Sequence, residues 1–356
     1  MIRQFSTLLL CASLAACDNS SNNDSNAPST GRLMINGVEG LNYVTQSQSG
    51  TTDANGEFKY YPGETISFSL GNLPLAADIP AKQFLTFLEF PPAQRIVLEQ
   101  GVVEEGLTVH DTAEKNALTD SSTNNLVRAL ILFDEDKSVK SDKKLKFTER
   151  TITQLNTALQ SLPAEKPVDF SIAVTELTAD NSWLNTLLAS VCFYEATDER
   201  CETAPTQDEI DALKATDEKA AKELENKRTR IANGKRNTGQ VLPTVIDDYV
   251  TEQANIITTE VSLRYAMLPY SVTLPATNQS LQKARVYAPR VTLSIADMQV
   301  KSNNDNIVMV QRFDKATGEI EFFATGAAGE ETEIVVNFKV TGDYRWIRKT
   351  IRVRLT

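Results

Sequence analysis

The stretch Gly50-Thr51-Thr52-Asp53-Ala54-Asn55-Gly56-Glu57-Phe58-Lys59-Tyr60 decides the class of the first folded region. Asn55-Gly56 is a tight-turn dipeptide, because both residues tolerate positive φ. After the turn, Phe58 and Tyr60 alternate with charged residues, a pattern typical of a half-buried strand. The stretch therefore predicts a β-hairpin at the centre of a small β-domain.

The flanking segments extend this pattern and resemble a known module. Val38 to Tyr43 reads V-x-G-L-x-Y, Gly50 to Tyr60 reads G-T-T-D-x-N-G-x-F-x-Y, and Pro62 to Phe68 reads P-G-E-x-[IV]-x-F. Together they resemble a module near the amino termini of bacterial surface adhesins and envelope lipoproteins. The hairpin is also similar to small transthyretin-like or carboxypeptidase-regulatory-like β-sandwiches. The resemblance implies a β-sandwich and an envelope location, and it assigns no catalytic residue.

The amino terminus carries an export pattern. Arg3 precedes a short apolar run from Phe5 to Leu14, and Leu14-Ala15-Ala16-Cys17 follows. The run is too short for a permanent membrane span. This pattern resembles bacterial lipoprotein precursors. The resemblance implies cleavage before Cys17, a diacylglycerol on its thiol and acylation of the new amino terminus. Several acyl chains together anchor a protein stably to a membrane.

The residues after Cys17 bear on localisation. Asp18 follows directly, and in enteric lipoproteins an Asp there resembles the signal for retention in the inner membrane. We therefore expect a lipid-anchored protein of the bacterial cell envelope, with the periplasmic face of the inner membrane favoured over the outer membrane. Residues 17–30 lack an apolar period and are expected to form a flexible tether.

Composition limits the classes of partner. The chain has 356 residues, is 41% hydrophobic and 23% charged, and carries a formal net charge of −11. Its length suggests two or three domains. An acidic chain without a basic stripe is repelled by phosphate backbones, so we expect no nucleic-acid partner. Anionic lipid surfaces are disfavoured for the same reason, and membrane attachment is expected through the lipid anchor alone.

Four cysteines are present, and two remain for pairing after export and lipidation. Cys11 leaves with the signal and Cys17 is modified, which leaves Cys192 and Cys201. In an oxidising compartment these two favour a disulfide that closes a small loop. A metal pair is the alternative, but no further thiol remains and His110 is the single histidine.

The rest of the chain divides by pattern into helical and β regions. Asn125 to Phe133 has apolar residues at helical spacing, and Thr206 to Glu209 forms a capping box before a charged segment. That segment predicts a long solvated helix or spacer, with a partner-binding coiled coil as the alternative. Beyond residue 255, short alternating segments indicate strands, and Lys315 to Gly318 predicts a hairpin turn. The expected strands are Glu260–Met267, Gln282–Ala296, Ile307–Phe313, Glu319–Ala324, Glu333–Val340 and Trp346–Leu355.

These patterns predict an α+β multidomain chain with a small N-terminal β-sandwich, a helical middle and a C-terminal antiparallel immunoglobulin-like β-sandwich. The expected division is a lipoprotein signal peptide at 1–16, a tether at 17–30, a β-sandwich module at 31–90, a mainly helical domain at 91–205, a charged helix and linker at 206–254, and a β-sandwich at 255–356.

Candidate catalytic residues are few. His110 is followed by Asp111, but no G-x-S-x-G elbow accompanies it, and its polar neighbours suggest an exposed loop or cap. Two S-x-x-K matches lack the apolar helical setting that such nucleophiles use, and one acidic pair has no visible partner. They are Ser141 to Lys144, Ser280 to Lys283, and Asp247-Asp248. We therefore predict no catalytic residues and expect that the chain is not an enzyme.

One segment is spaced like the start of a calcium loop. Asp134, Asp136, Ser138 and Asp142 supply oxygen ligands at EF-hand-like intervals. However, Val139 stands where the turn glycine belongs, and a leucine replaces the bidentate glutamate. The sequence therefore indicates a solvated loop, and we predict no metal and no cofactor. Calcium is the alternative, with these four residues as its candidate ligands.

The anchor, the adhesin-like module and the lack of a catalytic constellation together indicate a binding role. We expect surface adhesion or a scaffold for envelope assembly, with a protein or glycan partner. The alternative is an envelope hydrolase whose site forms only in the folded chain. A deep pocket with facing carboxylates, or His110 beside a nucleophile, would favour the hydrolase.

Lipidation can be tested in cells. Because only Cys17 offers the acceptor thiol, metabolic labelling with palmitate should mark the wild-type chain and leave Cys17→Ser unlabelled. Cys11→Ser is the control and should label normally. Equal labelling of wild type and Cys17→Ser would contradict the lipobox assignment.

Overall fold

The computed structural model describes residues 27–136, 139–163, 165, 167–276 and 279–356. Within them the chain combines α-helices with strands in several sheets, and its C-terminal part is built from largely antiparallel sheets. The predicted α+β class is confirmed. The predicted lipobox with Cys17 and the candidate ligand Ser138 lie outside the described residues.

Eight strands form the N-terminal β-region. They are β1 (Ser29–Leu33), β2 (Val38–Glu39), β3 (Asn42–Thr45), β4 (Ser49–Thr51), β5 (Glu57–Tyr60), β6 (Thr65–Leu70), β7 (Leu73–Pro80) and β8 (Phe84–Leu85). One sheet has the order β5-β1-β8, in which β5 is antiparallel and β8 parallel to β1. The other has the order β4-β3-β6-β7 and is antiparallel throughout.

The turn at Asn55-Gly56 forms, but it does not close a β-hairpin. Gly56 has a φ of +70°, and Asp53 Oδ1 accepts hydrogen bonds from two backbone N–H groups of the turn, each at 2.9 Å. The strands on its two sides, β4 and β5, belong to different sheets. β5 pairs with β1, where Phe58 lies over Gly31 so closely that a Cβ there would be 2.2 Å from the ring. The predicted hairpin is therefore a crossover between sheets.

Six helices follow, with a hairpin and one short strand among them. They are α1 (Pro92–Gln100), β9 (Val102–Glu104), β10 (Leu107–Val109), α2 (Asp111–Thr119), α3 (Ser121–Phe133), β11 (Leu145–Lys146), α4 (Glu149–Gln160), α5 (Val174–Leu177) and α6 (Trp183–Ser190). β9 and β10 pair with each other, and β11 pairs in parallel with β2 of the N-terminal β-region. The segment after α3 is thereby tied back to the β-region.

The N-terminal β-region and these helices share one hydrophobic core. The rings of Phe68 and Phe90 stack at 5.3 Å, and the same core continues into α3, α4 and α6. The predicted core face of α3 is buried as expected, at Leu126, Ala129, Leu130 and Phe133. The expected boundary at residue 90 therefore does not separate two cores, because both elements bury their apolar faces against each other.

The charged segment contains two helices instead of one. They are α7 (Gln207–Lys214) and α8 (Glu218–Gly234). The capping box of Thr206 and Glu209 is confirmed. A second cap divides the segment, because the Asp217 side chain accepts a hydrogen bond from the backbone N–H of Ala220 and starts a new helix. Before α7, the Sγ atoms of Cys192 and Cys201 lie 2.06 Å apart, the distance of a disulfide bond.

A long helix, α9 (Pro243–Ser262), crosses the expected boundary at residue 254. We expected a linker and then a strand from Glu260, but this segment is helical as far as Ser262. Its buried residues recur at helical spacing and face two cores in succession. Ile246, Tyr249, Val250 and Ala254 lie in the N-terminal core, whereas Ile257 and Val261 lie in the C-terminal core. α9 therefore joins the two cores.

Eight strands form the C-terminal sandwich. They are β12 (Ala266–Leu268), β13 (Ser271–Leu274), β14 (Gln282–Tyr287), β15 (Ile295–Ser302), β16 (Val308–Asp314), β17 (Glu319–Ala324), β18 (Glu331–Val340) and β19 (Trp346–Leu355). The sheets have the orders β12-β14-β17-β16 and β13-β19-β18-β15, and only the β13–β19 pair is parallel. The predicted turn before Gly318 connects β16 to β17, with a φ of +71° at that glycine.

The role of α9 can be tested with adjacent isoleucines. Ile257 is fully buried in the C-terminal core, whereas Ile256 is 38% exposed. Ile257→Ala should lower the free energy of unfolding by about 2–5 kcal/mol, because it leaves a cavity. Ile256→Ala should change it by about 0.5 kcal/mol or less. Urea unfolding followed by circular dichroism measures both, and similar losses would contradict the helical register.

Candidate functional site

The β9–β10 hairpin packs on the outer face of the sheet that contains β15, β18 and β19. The backbone N–H of Thr108 donates to Gln299 Oε1 at 2.8 Å, and Gln299 Nε2 donates to Thr108 Oγ1 at 2.8 Å. Asn337 Nδ2 donates to the Thr108 carbonyl at 2.8 Å. Because Thr108 and Asn337 are both buried, these bonds hold the hairpin in one position on the sandwich.

His110 lies at this junction, directly before α2. Its side chain is buried, at 5% exposure, and not exposed as the sequence suggested, because α9 and β19 cover it. Nδ1 accepts a hydrogen bond from the backbone N–H of Trp346 at 3.2 Å. Nε2 lies 3.2 Å from Thr258 Oγ1 and 3.1 Å from Asp111 Oδ1. A 340 Å³ cavity adjoins these groups.

These contacts place His110 beside a hydroxyl and a carboxylate, but with the wrong polarity for a catalytic triad. The backbone N–H of Trp346 can only donate, so Nδ1 must carry the lone pair. The proton of the neutral ring is then on Nε2, which donates towards Thr258 and Asp111. In a triad, Nε2 takes the proton of the nucleophile and the carboxylate holds Nδ1–H. His110 therefore has no free base directed at Thr258.

His110, Asp111 and Glu114 also bring potential metal-ligand atoms within 4.8 Å of one another. A histidine that binds metal normally donates its second ring N–H to an acceptor, whereas the second nitrogen of His110 accepts. Glu114 Oε1 already accepts from Tyr344 Oη at 2.7 Å and lies 3.6 Å from Arg345 Nε. The N-terminus of α2 further disfavours a cation. These three residues do not fit a metal site.

A buried ion network joins the N-terminal region to the C-terminal sandwich. Arg345 is fully buried, and its Nη1 lies 3.1 Å from Asp343 Oδ1. Lys82 Nζ lies 2.5 Å from Glu89 Oε1 and 3.8 Å from Asp343 Oδ1. Burial alone would raise the pKa of Asp343, but Arg345 and Lys82 outweigh it and lower that pKa. The network is structural, since its charges are already paired.

The remaining sequence-derived candidates do not form a catalytic site. Asp247 and Asp248 lie on the exposed side of α9, where partial burial and Asp248 raise the pKa of Asp247. The S-x-x-K residues are all exposed, and Lys283 Nζ pairs with Glu321 at 3.1 Å. These exposed residues are Ser141, Lys144, Ser280 and Lys283.

Of the calcium candidates, one is buried and two are exposed. Asp134 has no exposed surface, whereas Asp136 and Asp142 face solvent. Burial raises the pKa of Asp134 to about 7; the charges of Asp136 and Asp142 add to this effect, and a hydrogen bond from the Lys146 backbone opposes it. The sequence did not predict this burial.

A 590 Å³ cleft opens on the C-terminal sandwich. We call it the cationic cleft. Its lining residues come from the β12–β13 segment and from β18 and β19, and they are Met267, Tyr270, Ser271, Glu333, Arg348, Lys349, Thr350 and Arg352. This cleft was not predicted from the sequence. The signal was the repeat of basic residues at alternate positions of the last strand, which places them on one sheet face.

The side chains in the cationic cleft differ in whether they already form hydrogen bonds or ion pairs. The side chain of Arg348 is exposed and makes no hydrogen bond or ion pair within the described part of the chain. Arg352 Nη2 lies 3.9 Å from Glu333 Oε1, a distant pair. Lys349 Nζ donates to Ser262 Oγ at 3.0 Å, and burial lowers its pKa. The cleft thus offers guanidinium groups to an anion. The ring of Tyr270, 74% exposed, lies beside them.

Comparison with known proteins identifies no family. No protein-family model matches the chain, and no curated protein matches it. Among solved structures, domains 4 and 5 of the S-layer protein SbsC match at a TM-score of 0.21 and 13% identity, over 26% of this chain and 50% of that one. The endo-β-1,4-mannanase from Thermotoga petrophila matches at a TM-score of 0.18 and 14% identity, over 32% of this chain and 24% of that one. The chain thus spans half or less of either protein, and overlaps this small support no argument on fold or function.

A helix that crosses a membrane must be both long and apolar, and this can be judged for the described residues. None of their helices combines the length and the apolar character that crossing a bilayer requires.

The tautomer of His110 can be measured directly, because the chain contains one histidine. A long-range ¹H–¹⁵N spectrum at pH 8 should show a single imidazole with the proton on Nε2, since Nδ1 accepts from Trp346. Thr258→Val is the control and should keep this tautomer. A proton on Nδ1 would contradict the arrangement and restore Nε2 as a possible base or ligand.

Proposed function

We propose that this chain is a lipid-anchored binding protein of a bacterial cell envelope, and that the cationic cleft binds an anionic polysaccharide. The anchor is supported by the sequence around Cys17. A tether would separate the folded chain from the membrane; it would end before Ser29, where β1 begins, and not at residue 30 as expected from the sequence. The C-terminal sandwich would then act as the ligand-binding part, in surface adhesion or in envelope assembly.

The observation that carries this proposal is the composition of the cationic cleft. Guanidinium groups bind carboxylate and phosphate through paired hydrogen bonds, and Arg348 has its donors available. A flat, exposed tyrosine ring supplies apolar contact area to a ligand with little loss of side-chain freedom. An acidic sugar polymer offers both kinds of contact in each repeat unit. The open shape of the cleft suits a chain lying across it.

We also infer that the C-terminal sandwich has an immunoglobulin-like topology. The order β12-β14-β17-β16 faces the order β13-β19-β18-β15, and the first edge segment is shared between the sheets as β12 and β13. This arrangement resembles an immunoglobulin-type sandwich with a split first strand. Sandwiches of this kind commonly serve as binding modules, which is consistent with the proposed role. The N-terminal β-region is similarly proposed to be a small adhesin-type β-sandwich.

The hydrolase alternative has less support. His110 lies beside Thr258, but its lone pair is engaged by a backbone N–H group. Asp247 and Asp248 are neighbours on an exposed helix surface and do not face each other across a cleft. Binding therefore accounts better for the exposed groups that the structure presents.

Polygalacturonate and neutral dextran are suitable probes for this proposal. The wild-type chain should bind polygalacturonate, and Arg348→Ala/Arg352→Ala should weaken binding at least about tenfold, because charge-assisted hydrogen bonds are lost. Tyr270→Ala should weaken it several-fold. Affinity electrophoresis or biolayer interferometry gives the dissociation constants.

The matched control is Lys219→Ala/Lys222→Ala on α8, which removes the same number of positive charges from another exposed surface. It should leave binding unchanged. Equal binding of dextran, or an equal loss in the control, would contradict the proposed site. Absence of binding by the wild type to the polyuronate would overturn the assignment of an anionic polysaccharide.

A further inference from the structure

The 340 Å³ cavity beside His110 lies next to the cationic cleft. We call it the junction cavity, and its polar lining residues include His110, Asp111, Thr258, Ser262, Asn337 and Arg348. Arg348 lines both the cavity and the cleft. Lys349 lines the cleft, and its Nζ donates to Ser262 Oγ in the cavity at 3.0 Å. The two depressions therefore meet at Arg348 and Lys349 of β19.

The cleft and the junction cavity differ in charge. The basic residues Arg348, Lys349 and Arg352 of the cleft face a single acid, Glu333, among the described residues that line it. Among the described residues that line the cavity, Arg348 and Asp111 carry the formal charges, because the His110 ring is neutral in the tautomer that its contacts define. A carboxylate is therefore attracted to the cleft, whereas in the cavity Asp111 offsets the attraction of Arg348.

Two hydroxyl groups of the junction cavity can each donate a hydrogen bond to a ligand. Thr258 Oγ1 accepts from His110 Nε2 at 3.2 Å, and Ser262 Oγ accepts from Lys349 Nζ. Neither hydroxyl donates a hydrogen bond within the described part of the chain. A hydroxyl combines one donor with acceptor sites. Both hydrogens are therefore available to an uncharged oxygen of a ligand.

The junction cavity also offers apolar surface and a suitable volume. Leu263, at the C-terminal end of α9, lines the cavity and is 78% exposed. The volume of 340 Å³ lies at the lower end of the range of roughly 300–1,000 Å³ that is usual for ligand pockets. A sugar ring presents hydroxyl groups at its edge and C–H groups on its faces. One neutral sugar unit therefore matches the cavity in chemistry and in size.

The spacing of the arginines in the cleft indicates a polymer. Arg348 and Arg352 lie on one face of β19, and the rise of a strand places their Cα atoms about 13 Å apart. This distance exceeds one sugar ring, so carboxylates that contact both arginines belong to different units. The backbone N–H of Arg352 donates to the Tyr270 carbonyl at 3.0 Å, which places Tyr270 beside Arg352. A ligand lying along β19 would thus pass Tyr270, Arg352 and Arg348 and then reach the cavity.

We infer, on the basis of the proposed function, that the junction cavity is a second subsite of the cationic cleft. It takes a neutral sugar unit adjacent to the acidic unit that Arg348 binds. The hydroxyl groups of Thr258 and Ser262 donate to this neutral unit, and Leu263 contacts its apolar face. The ligand class is therefore an acidic polysaccharide in which charged and neutral units alternate. A polymer charged at every unit fills the cleft and leaves the cavity empty, because Asp111 repels its carboxylates.

Oligosaccharides of hyaluronan and of polygalacturonate, matched in length, test this inference on the full chain. Hyaluronan alternates glucuronate with neutral N-acetylglucosamine, whereas every unit of polygalacturonate is charged. The wild type should bind hyaluronan about two- to tenfold more tightly, because the cavity adds hydrogen bonds. Thr258→Val should weaken hyaluronan binding by about two- to tenfold, because it removes one donor. Its affinity for polygalacturonate should not change, which also shows that the variant is folded. Biolayer interferometry gives the dissociation constants.

Two further variants complete the test. Thr258→Ser keeps the hydroxyl and should restore hyaluronan binding. Thr251→Val makes the same substitution at an exposed position of α9, about two turns earlier, and should bind both polymers normally. Absence of binding to both polymers by the wild type would overturn the proposed function. If the wild type binds polygalacturonate, the subsite alone is overturned by hyaluronan binding that is no tighter, by an undiminished hyaluronan affinity of Thr258→Val, or by an equal loss for both polymers in that variant.

Discussion

The arrangement of the two halves depends on the ion network around the fully buried guanidinium of Arg345. It lies in the connection between β18 and β19, yet it pairs with Asp343 and approaches Glu114 of α2. A buried ion pair adds little net stability, because desolvation offsets most of the attraction. Loss of one partner, however, strands the other charge at a cost of about 3–5 kcal/mol. Such a network therefore selects one docking geometry and penalises every other.

Two aromatic residues reinforce this selection by lying in each other's half of the molecule. Phe84 of the N-terminal β8 packs in the C-terminal core, and Tyr344 of the C-terminal sandwich packs in the N-terminal core. α9 contributes to both cores along its length. The two halves are therefore packed against each other and are not joined only by a linker. The junction that holds His110 lies between the same two halves, and its hydrogen bonds fix one tautomer of the ring.

Sequence reasoning succeeded where the deciding contacts are local and failed where they are distant. The capping box at Thr206 and the turn before Gly318 involve residues within four positions of each other, and both formed as predicted. The segment of α9 from Ile256 to Val261 is rich in β-branched residues, which favoured a strand. Its helical state follows from burial against two cores, and no local pattern reports that. The Asn55-Gly56 turn shows the same limit, since partner choice for β5 depends on Gly31.

The candidate sites follow the same rule, because residue type was visible and burial was not. His110 looked exposed because its neighbours are polar, but Trp346, more than 200 positions away, covers it and engages Nδ1. Asp134 looked like one acid of a solvated loop, but it is fully buried and accepts a hydrogen bond from the backbone N–H of Lys146 in β11. The cost of an unpaired charge depends on its surroundings. An unpaired carboxylate therefore costs little free energy in solvent and much more when it is buried.

The net charge of the whole chain says little about the cationic cleft. At physiological ionic strength, charges more than about 8 Å apart are largely screened from one another. The overall charge of −11 therefore repels a distant polyanion only weakly, whereas Arg348 and Arg352 act at contact distance. The expectation that nucleic acid is not a partner rests on the sequence, which shows no basic stripe with interleaved aromatic residues. A ligand that fits must place its anionic groups beside Arg348 and Arg352 and lay an uncharged face against the ring of Tyr270. The proposed acidic sugar polymer meets both requirements in each repeat unit, because a uronic acid carries its carboxylate on the same unit as its sugar ring.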